Sequence, residues 1–435
     1  MSYLSFLLLT AALFVRPAEI VDSLRGAPIY WCLIVACLIL NAPRIARHLS
    51  PASLARHPIS VCVLGMLAAV VLSHAAHGLV GEAHYAAREF IKPALYFLLL
   101  PCVLDSRRRL LGFLKWLLLC IVLVASLALL QFHGAIDVPA LRELRERDRV
   151  AATGEVSEVR RLRSTGIFND PNDLSMILLL GMIICGAGWM RALGRRLPRV
   201  AWLPPLAICG FALALTRSRG GFLAMLVGLT VLLTSRYGWR KTVPLVALLF
   251  PLLLVAFSGR MTRISTDEDT GQARIQLWSD GLDMFRQSPL FGIGYGTYQD
   301  HAGLVAHNSY VHCFAELGAL GGMAFLGALA IPIARLRRLG ARGVVISDPQ
   351  LAALRPFFLA MICAYAASMI TLTRCYVEPT YLVLGLAAAY LELAHTKRPL
   401  PALRFNYALV SRLAAGSMAF LVLAYAFVRT FAHWN

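Results

Sequence analysis

The chain has 435 residues, 59% of them hydrophobic and only 15% charged, with a mean hydropathy of +0.68. That apolar share excludes an ordinary soluble globular protein. The net charge of +19 could suit nucleic acid, but the arginines fall in short clusters between apolar runs, with no basic stripe or aromatic platform, so no nucleic-acid partner is expected.

Apolar runs of roughly 17–25 residues recur along the chain, the length a helix needs to cross about 30 Å of hydrocarbon. An outer-membrane barrel would show alternating segments of roughly 10 residues instead. In chain order the runs lie near 3–15, 28–42, 59–78, 86–104, 110–132, 172–190, 201–216, 220–235, 242–258, 309–334, 353–372, 379–394 and 409–430. The first two are short and one can be re-entrant, which predicts about twelve membrane helices. The N-terminal Met1-Ser2-Tyr3-Leu4 lacks a basic region and a small-residue cleavage site, so the first run reads as a membrane helix. Ten scattered cysteines, mostly inside apolar runs and never as CxxC, read as small core residues rather than disulfides or zinc ligands. The fold class is all-α and polytopic, a single transmembrane domain over 1–435 without an internal repeat.

Arginine clusters at Arg44–Arg56, Arg107–Arg109, Arg191–Arg199, Arg236–Lys241, Arg335–Arg342 and Lys397–Arg404 fall on one side of these spans, the cytoplasmic side by the positive-inside rule. The exported loops are then 133–171, the tight turn around 216–220, and a long segment, 259–308. Within the first loop, residues 141–163 interleave seven arginines with Glu143, Glu146, Asp148, Glu155 and Glu158. This pattern reads either as a solvated helix laced by i,i+3 and i,i+4 ion pairs or as a surface for anionic lipid phosphates. Phe168-Asn169-Asp170-Pro171-Asn172-Asp173 describes a turn into a helix capped at Asn172 or Asp173.

Thr216-Arg217-Ser218-Arg219-Gly220-Gly221 joins two apolar runs with almost no loop. Guanidiniums at a membrane boundary either snorkel or bind something, and their planar fork suits phosphate. In the long segment, Arg274, Leu277 and Trp278 would share one helix face, although Arg274 can also pair locally with the acidic run Asp267-Glu268-Asp269. That run has the D-x-D pattern of metal-dependent transferases but lies where nucleotide sugars are absent, and reads as a solvated turn. Gly292-x-Gly294-x-Gly296 has no βαβ context and reads as a tight turn. His307 heads an apolar helix that also carries His312 and Glu316. It is either an interfacial hydrogen-bonding residue or a general base for a sugar hydroxyl. The spacing of His301, His307 and His312 is not that of a zinc metalloprotease, so no metal site is expected there.

Taken together, Gly166–Leu174, Thr216–Gly221, Arg274 with Trp278, Pro289–Gly294, and His307-Asn308-Ser309-Tyr310 with Glu316-Leu317-Gly318 and Gly321 resemble the O-antigen ligase and polymerase superfamily of bacterial envelope enzymes. The resemblance covers roughly 160–325. It implies cofactor-free, metal-independent, inverting glycosyl transfer from an undecaprenyl-pyrophosphate-linked glycan. The acceptor would be a sugar of the lipid A-core in a ligase, or another lipid-linked unit in a polymerase. The family's essential arginines map onto Arg219 and Arg274 and its essential histidine onto His307, with Arg217, Asn169, Asn308 and Trp278 as candidate substrate-binding neighbours. It further implies the bacterial inner membrane, with the active site on the periplasmic face. A protein O-oligosaccharyltransferase often carries an additional exported domain, which this sequence does not show. A transporter would place polar groups near the bilayer midplane; here they gather at one face.

Overall fold

A computed structural model describes residues 1–149, 156–194, 197–256, 268–401 and 403–432. Its helices are α1 (Ser2–Val15), α2 (Pro17–Ile20), α3 (Ile29–His48), α4 (Pro51–Leu54), α5 (Pro58–Ala75), α6 (Val80–Val103), α7 (Arg107–Phe132), α8 (Pro171–Trp189), α9 (Leu203–Thr216), α10 (Arg219–Tyr237), α11 (Trp239–Ala256), α12 (Glu268–Gln287), α13 (Tyr298–Ala302), α14 (Ser309–Arg338), α15 (Pro349–Ser368), α16 (Glu378–Leu393) and α17 (Tyr407–Phe431). Each apolar run of the sequence became one helix. Among the described residues, ten helices are long and apolar enough to cross a membrane, and the protein is an all-α polytopic membrane protein.

The helix starts follow from local chemistry. Side chains of Ser106, Asp170, Ser218, Asn308, Asp348 and Asn406 accept hydrogen bonds from the first-turn amides of α7, α8, α10, α14, α15 and α17. Each satisfies donors that the helix itself leaves open. The cap of α8 is Asp170, two or three residues before the Asn172 or Asp173 that the sequence pattern indicated, because Pro171 takes the first helical position, where its missing N–H costs nothing.

The principal helix pairs are α10 with α15, α14 with α5, α6 with α16, α8 with α9, α5 with α6 and α1 with α3. Large aromatic side chains fill the seams: Phe6 stacks between Tyr96 (5.6 Å) and Phe113 (5.4 Å), Phe14 meets Phe168 at 5.3 Å, and Phe90 meets Tyr381 edge-on at 5.3 Å. Apolar residues such as Ile39, Leu248, Val422 and Leu423 point outward from α3, α11 and α17. On a membrane helix these are the lipid-facing positions.

The described residues of 141–163 do not form the salt-bridged helix that their charge spacing allowed. They hold two antiparallel strands, β1 (Leu144–Arg149) and β2 (Val156–Arg161), with Arg145 opposite Arg160 and Glu146 opposite Val159. Charges spaced both two and three or four residues apart fit either period, so the spacing could not choose. The anchor of Arg161 described below favours the strand.

Candidate active site

Three chain segments meet around the start of α8. Arg161, at the end of β2, is buried, and each face of its guanidinium is used. Nε donates to the Thr216 carbonyl (3.0 Å), Nη1 pairs with Glu146 (2.7 Å) and Nη2 donates to Asn172 Oδ1 (3.1 Å). The same Asn172 oxygen accepts from Ser218 Oγ (2.7 Å), which in turn caps Gly221 N–H (3.0 Å). The strand pair, the Asn-Asp-Pro-Asn-Asp turn and the Thr-Arg-Ser-Arg-Gly-Gly turn are thus one hydrogen-bonded unit. The two glycines are packing requirements. A Cβ on Gly221 would stand 2.4 Å from Ser175 Oγ, and one on Gly220 2.6 Å from Thr371 Oγ1. Arg217 and Arg219 flank this unit with exposed side chains, and Arg217 holds a left-handed backbone, φ 49°.

A second junction joins α8 to α14. Arg374, in the connection between α15 and α16, forks onto Asp173, with Nη2 at 2.7 Å from Oδ2 and a further bond from Nε. Its backbone N–H donates to Ser309 Oγ (2.8 Å), and Ser309 N–H donates to the Met369 carbonyl (2.8 Å). Sequence reasoning passed over Arg374. The available signal was a lone arginine in a short, otherwise uncharged turn beside an apolar run.

The long segment folds back over α14. α14 breaks at Gly318 (φ 62°, ψ −162°), and the Pro-Leu-Phe-Gly-Ile-Gly turn lies against the break. Four backbone bonds sew them together: Ile293 N–H to Ala315 O (3.0 Å), Gly294 N–H to Glu316 O (3.1 Å), Ala319 N–H to Pro289 O (2.8 Å) and Leu320 N–H to Leu290 O (3.4 Å). A Cβ on Gly292 would lie 2.2 Å from the Glu316 carbonyl, and one on Gly318 2.4 Å from that of Leu290. Buried Glu316 Oε1 accepts from Tyr298 N–H (3.0 Å) and faces His312 Nε2 (3.2 Å), and the Tyr298 ring stacks on His312 at 4.8 Å. Tyr298 also donates its hydroxyl to the Leu277 carbonyl of α12. Trp278 of α12 donates Nε1–H to the Ala306 carbonyl (3.0 Å). The segment is therefore a helix clamped onto the start of α14, one residue before His307.

His307 is half-buried in a left-handed backbone, φ 48°. A non-glycine residue in that region stores strain, a feature concentrated at functional sites. Burial is the first cause that lowers its pKa below the ordinary 6.5, followed by the charges of Arg274 and Arg374, while Asp170 opposes them. Charges carried by α12, the α15–α16 connection and the cap of α8 thus act on this imidazole. Of the sequence-derived candidates, Arg274 is exposed on α12, Asn169 is exposed beside the cap of α8, and Trp278 is half-buried over the clamp. Asn308 is buried, and its Oδ1 accepts from Tyr310 N–H (3.0 Å) and Val311 N–H (3.2 Å), so it caps α14. The Asp-Glu-Asp run has its side chains outside the described residues.

Beyond His312, Tyr376 and Tyr295 (ring centroids 4.7 Å apart) form one wall of a cavity of about 440 Å³. It is also lined by Arg16, Trp31, Lys92 and Glu378. Its mixture of aromatic faces, hydroxyls and charges of both signs suits a polyhydroxylated ligand better than an apolar one.

Residues 204–326, which include Arg217, Arg219, Arg274 and His307, match the family profile described as O-antigen ligase. No curated protein matches the chain. The match supports the O-antigen ligase/polymerase superfamily, a membrane enzyme with glycosyltransferase-like activity on lipid-linked glycans and membrane lipids.

Proposed function

We propose, from that superfamily and this geometry, that the protein is a ligase moving a polysaccharide from undecaprenyl pyrophosphate onto a sugar of the lipid A-core. The observation that carries the reading is the placement of His307, half-buried in a left-handed backbone between the Trp278–Ala306 tie to α12 and the Asn308 cap of α14, where the charges of Arg274 and Arg374 act on it. The anomeric carbon of the donor is bonded to pyrophosphate, already a good leaving group. Arg217, Arg219 and Arg274 bind its oxygens and offset the charge that grows as the C–O bond breaks, the electrostatic effect that usually dominates catalysis. His307 accepts the proton from the acceptor hydroxyl as its oxygen forms the new bond to that carbon. A single displacement of this kind inverts the anomeric configuration, and all the charge handling is done by protein side chains. A pKa below 6.5 keeps the imidazole in its basic form at neutral pH.

The remaining residues have supporting places in this scheme. Trp278 and the Asn308 cap hold the backbone on either side of His307, and Asn169 stands exposed beside the Asp170 cap, within the reach of a donor phosphate. The cavity beyond Tyr376 supplies room for the acceptor sugar. The protein would lie in the bacterial inner membrane, as one transmembrane domain over 1–435, with 133–171 and 259–308 as periplasmic segments over the site.

A strain lacking the protein tests the reading. Free lipid-linked polymer with bare lipid A-core is expected. Core capped with single repeat units would instead identify a polymerase, the closest alternative because it uses the same donor. Unchanged glycolipids would contradict both.

A further inference from the structure

The other end of the bundle holds a cluster that the proposed reaction does not use. α16 begins at Glu378, four residues after Arg374, and reaches Glu392 fourteen residues later, about 21 Å along its axis. There the Glu392 carboxylate meets His48, at the end of α3, and His57, the cap residue of α5. His57 Nε2 lies 3.3 Å and His48 Nδ1 4.0 Å from Glu392 Oε1, the two imidazoles have centroids 4.7 Å apart, and one ligand atom from each residue falls within 4.8 Å of the others. A tetrahedral zinc ion with bonds of roughly 2.0–2.2 Å needs ligand atoms about 3.3 Å apart. The cluster is therefore near that size before any ion binds.

The outer contacts orient it. His57 Nδ1 lies 2.8 Å from the Ser53 carbonyl, and a carbonyl can only accept, so the proton sits on Nδ1 and the lone pair of Nε2 faces the carboxylate. His48 Nε2 lies 2.9 Å from Ser60 Oγ; donating there leaves Nδ1 as the ligand atom. Glu392 Oε1 is buried and accepts no hydrogen bond. Two nitrogen lone pairs and an unsatisfied carboxylate oxygen converging on one point repel each other unless a cation lies between them. Each imidazole has its second nitrogen fixed by a hydrogen bond, as metal-ligating histidines do. Arg335 of α14 lies close enough for its charge to act on Glu392 and competes for the same carboxylate.

We infer that His48, His57 and Glu392 form a zinc-class divalent metal site, with a water or hydroxide completing the tetrahedron. It staples the α3–α5 corner to the end of α16, at the opposite end from His307, and takes no part in glycosyl transfer. The inference is independent of the function proposed above.

The test uses the full-length protein in detergent, stripped with a chelator, titrated with zinc alone, desalted and assayed for bound metal and for Tm. Wild-type protein should bind one zinc saturably and gain Tm. His57→Ala and Glu392→Gln should lose both effects, and His307→Ala should keep them. Ser60→Ala, a mild change that leaves all three ligands in place, should weaken zinc about tenfold or more. Arg335→Gln should tighten it by removing the competing cation. No saturable zinc in the wild type, or binding unchanged in Ser60→Ala and Glu392→Gln, overturns the site and leaves an ordinary imidazole–carboxylate contact.

Discussion

Two neighbouring regions carry the family-like motifs, and they are built in opposite ways. The clamp of Pro289–Gly294 against the break in α14 is backbone sewn to backbone, with glycines where a Cβ would collide. The candidate ligand-handling residues are arginines with exposed side chains at 217, 219 and 274, and a half-buried histidine in a strained backbone at 307. Short motifs of equal sequence weight thus divide into those that position and those that can act on a ligand. Substitutions in the first region should cost the fold, and those in the second should cost the reaction.

The largest effect belongs to His307→Asn, since asparagine tolerates φ 48° better than alanine and so separates strain from chemistry. Turnover should fall about 10²–10⁴-fold with Tm nearly unchanged, measured on purified protein. Gly318→Ala attacks the other region. It combines φ 62° with a 2.4 Å approach to Leu290 and should cost about 4 kcal/mol, seen as lost expression or a collapsed Tm. If Gly318→Ala were instead stable but inactive, the division between the regions would fail.

Arg374→Gln lies on the border. Leaving Asp173 without its forked partner should cost about 2 kcal/mol, since Arg374 is partly exposed, and a thermal scan would show Asp173→Asn restoring part of the loss. Arg274→Gln should weaken donor use about tenfold, the worth of one charge-assisted hydrogen bond. It should also move the acid limb of the pH–rate profile. The basic form of His307 is present above its pKa, so activity is lost as pH falls through it. Arg274 holds that pKa down, and its removal should raise the pKa and move the limb to higher pH. Asn308→Ala should show the smallest effect, about 1 kcal/mol of stability for a lost cap. A much larger loss of turnover with unchanged Tm would make Asn308 a substrate contact as well.

The membrane helices were legible because apolar length is nearly all that a bilayer asks of a span. Arg219 and His307 stand out as candidates because a charge or an imidazole at the edge of an apolar run has few bland explanations. The strand pair was not legible, since the mixed charges from Glu143 to Arg163 set no single period, and its place depends on Arg161 reaching Thr216 and Asn172 across the fold. Arg374 was missed for a related reason. Its meaning lies in Asp173, 201 residues away in the chain, and no local pattern carries that pairing. The structural use of Glu316 was equally hidden: as sequence it was a carboxylate near a histidine, and only the broken helix shows it accepting the Tyr298 amide.

The most direct test is transfer by the purified full-length protein in vesicles, with undecaprenyl-pyrophosphate-linked glycan as donor and lipid A-core as acceptor. The account predicts glycosylated lipid A-core with wild-type protein and almost none with His307→Asn, while the variant still binds the donor. Wild-type rates from His307→Asn would contradict the assignment of His307 as the base and, with it, the reading of its surroundings as the reaction centre.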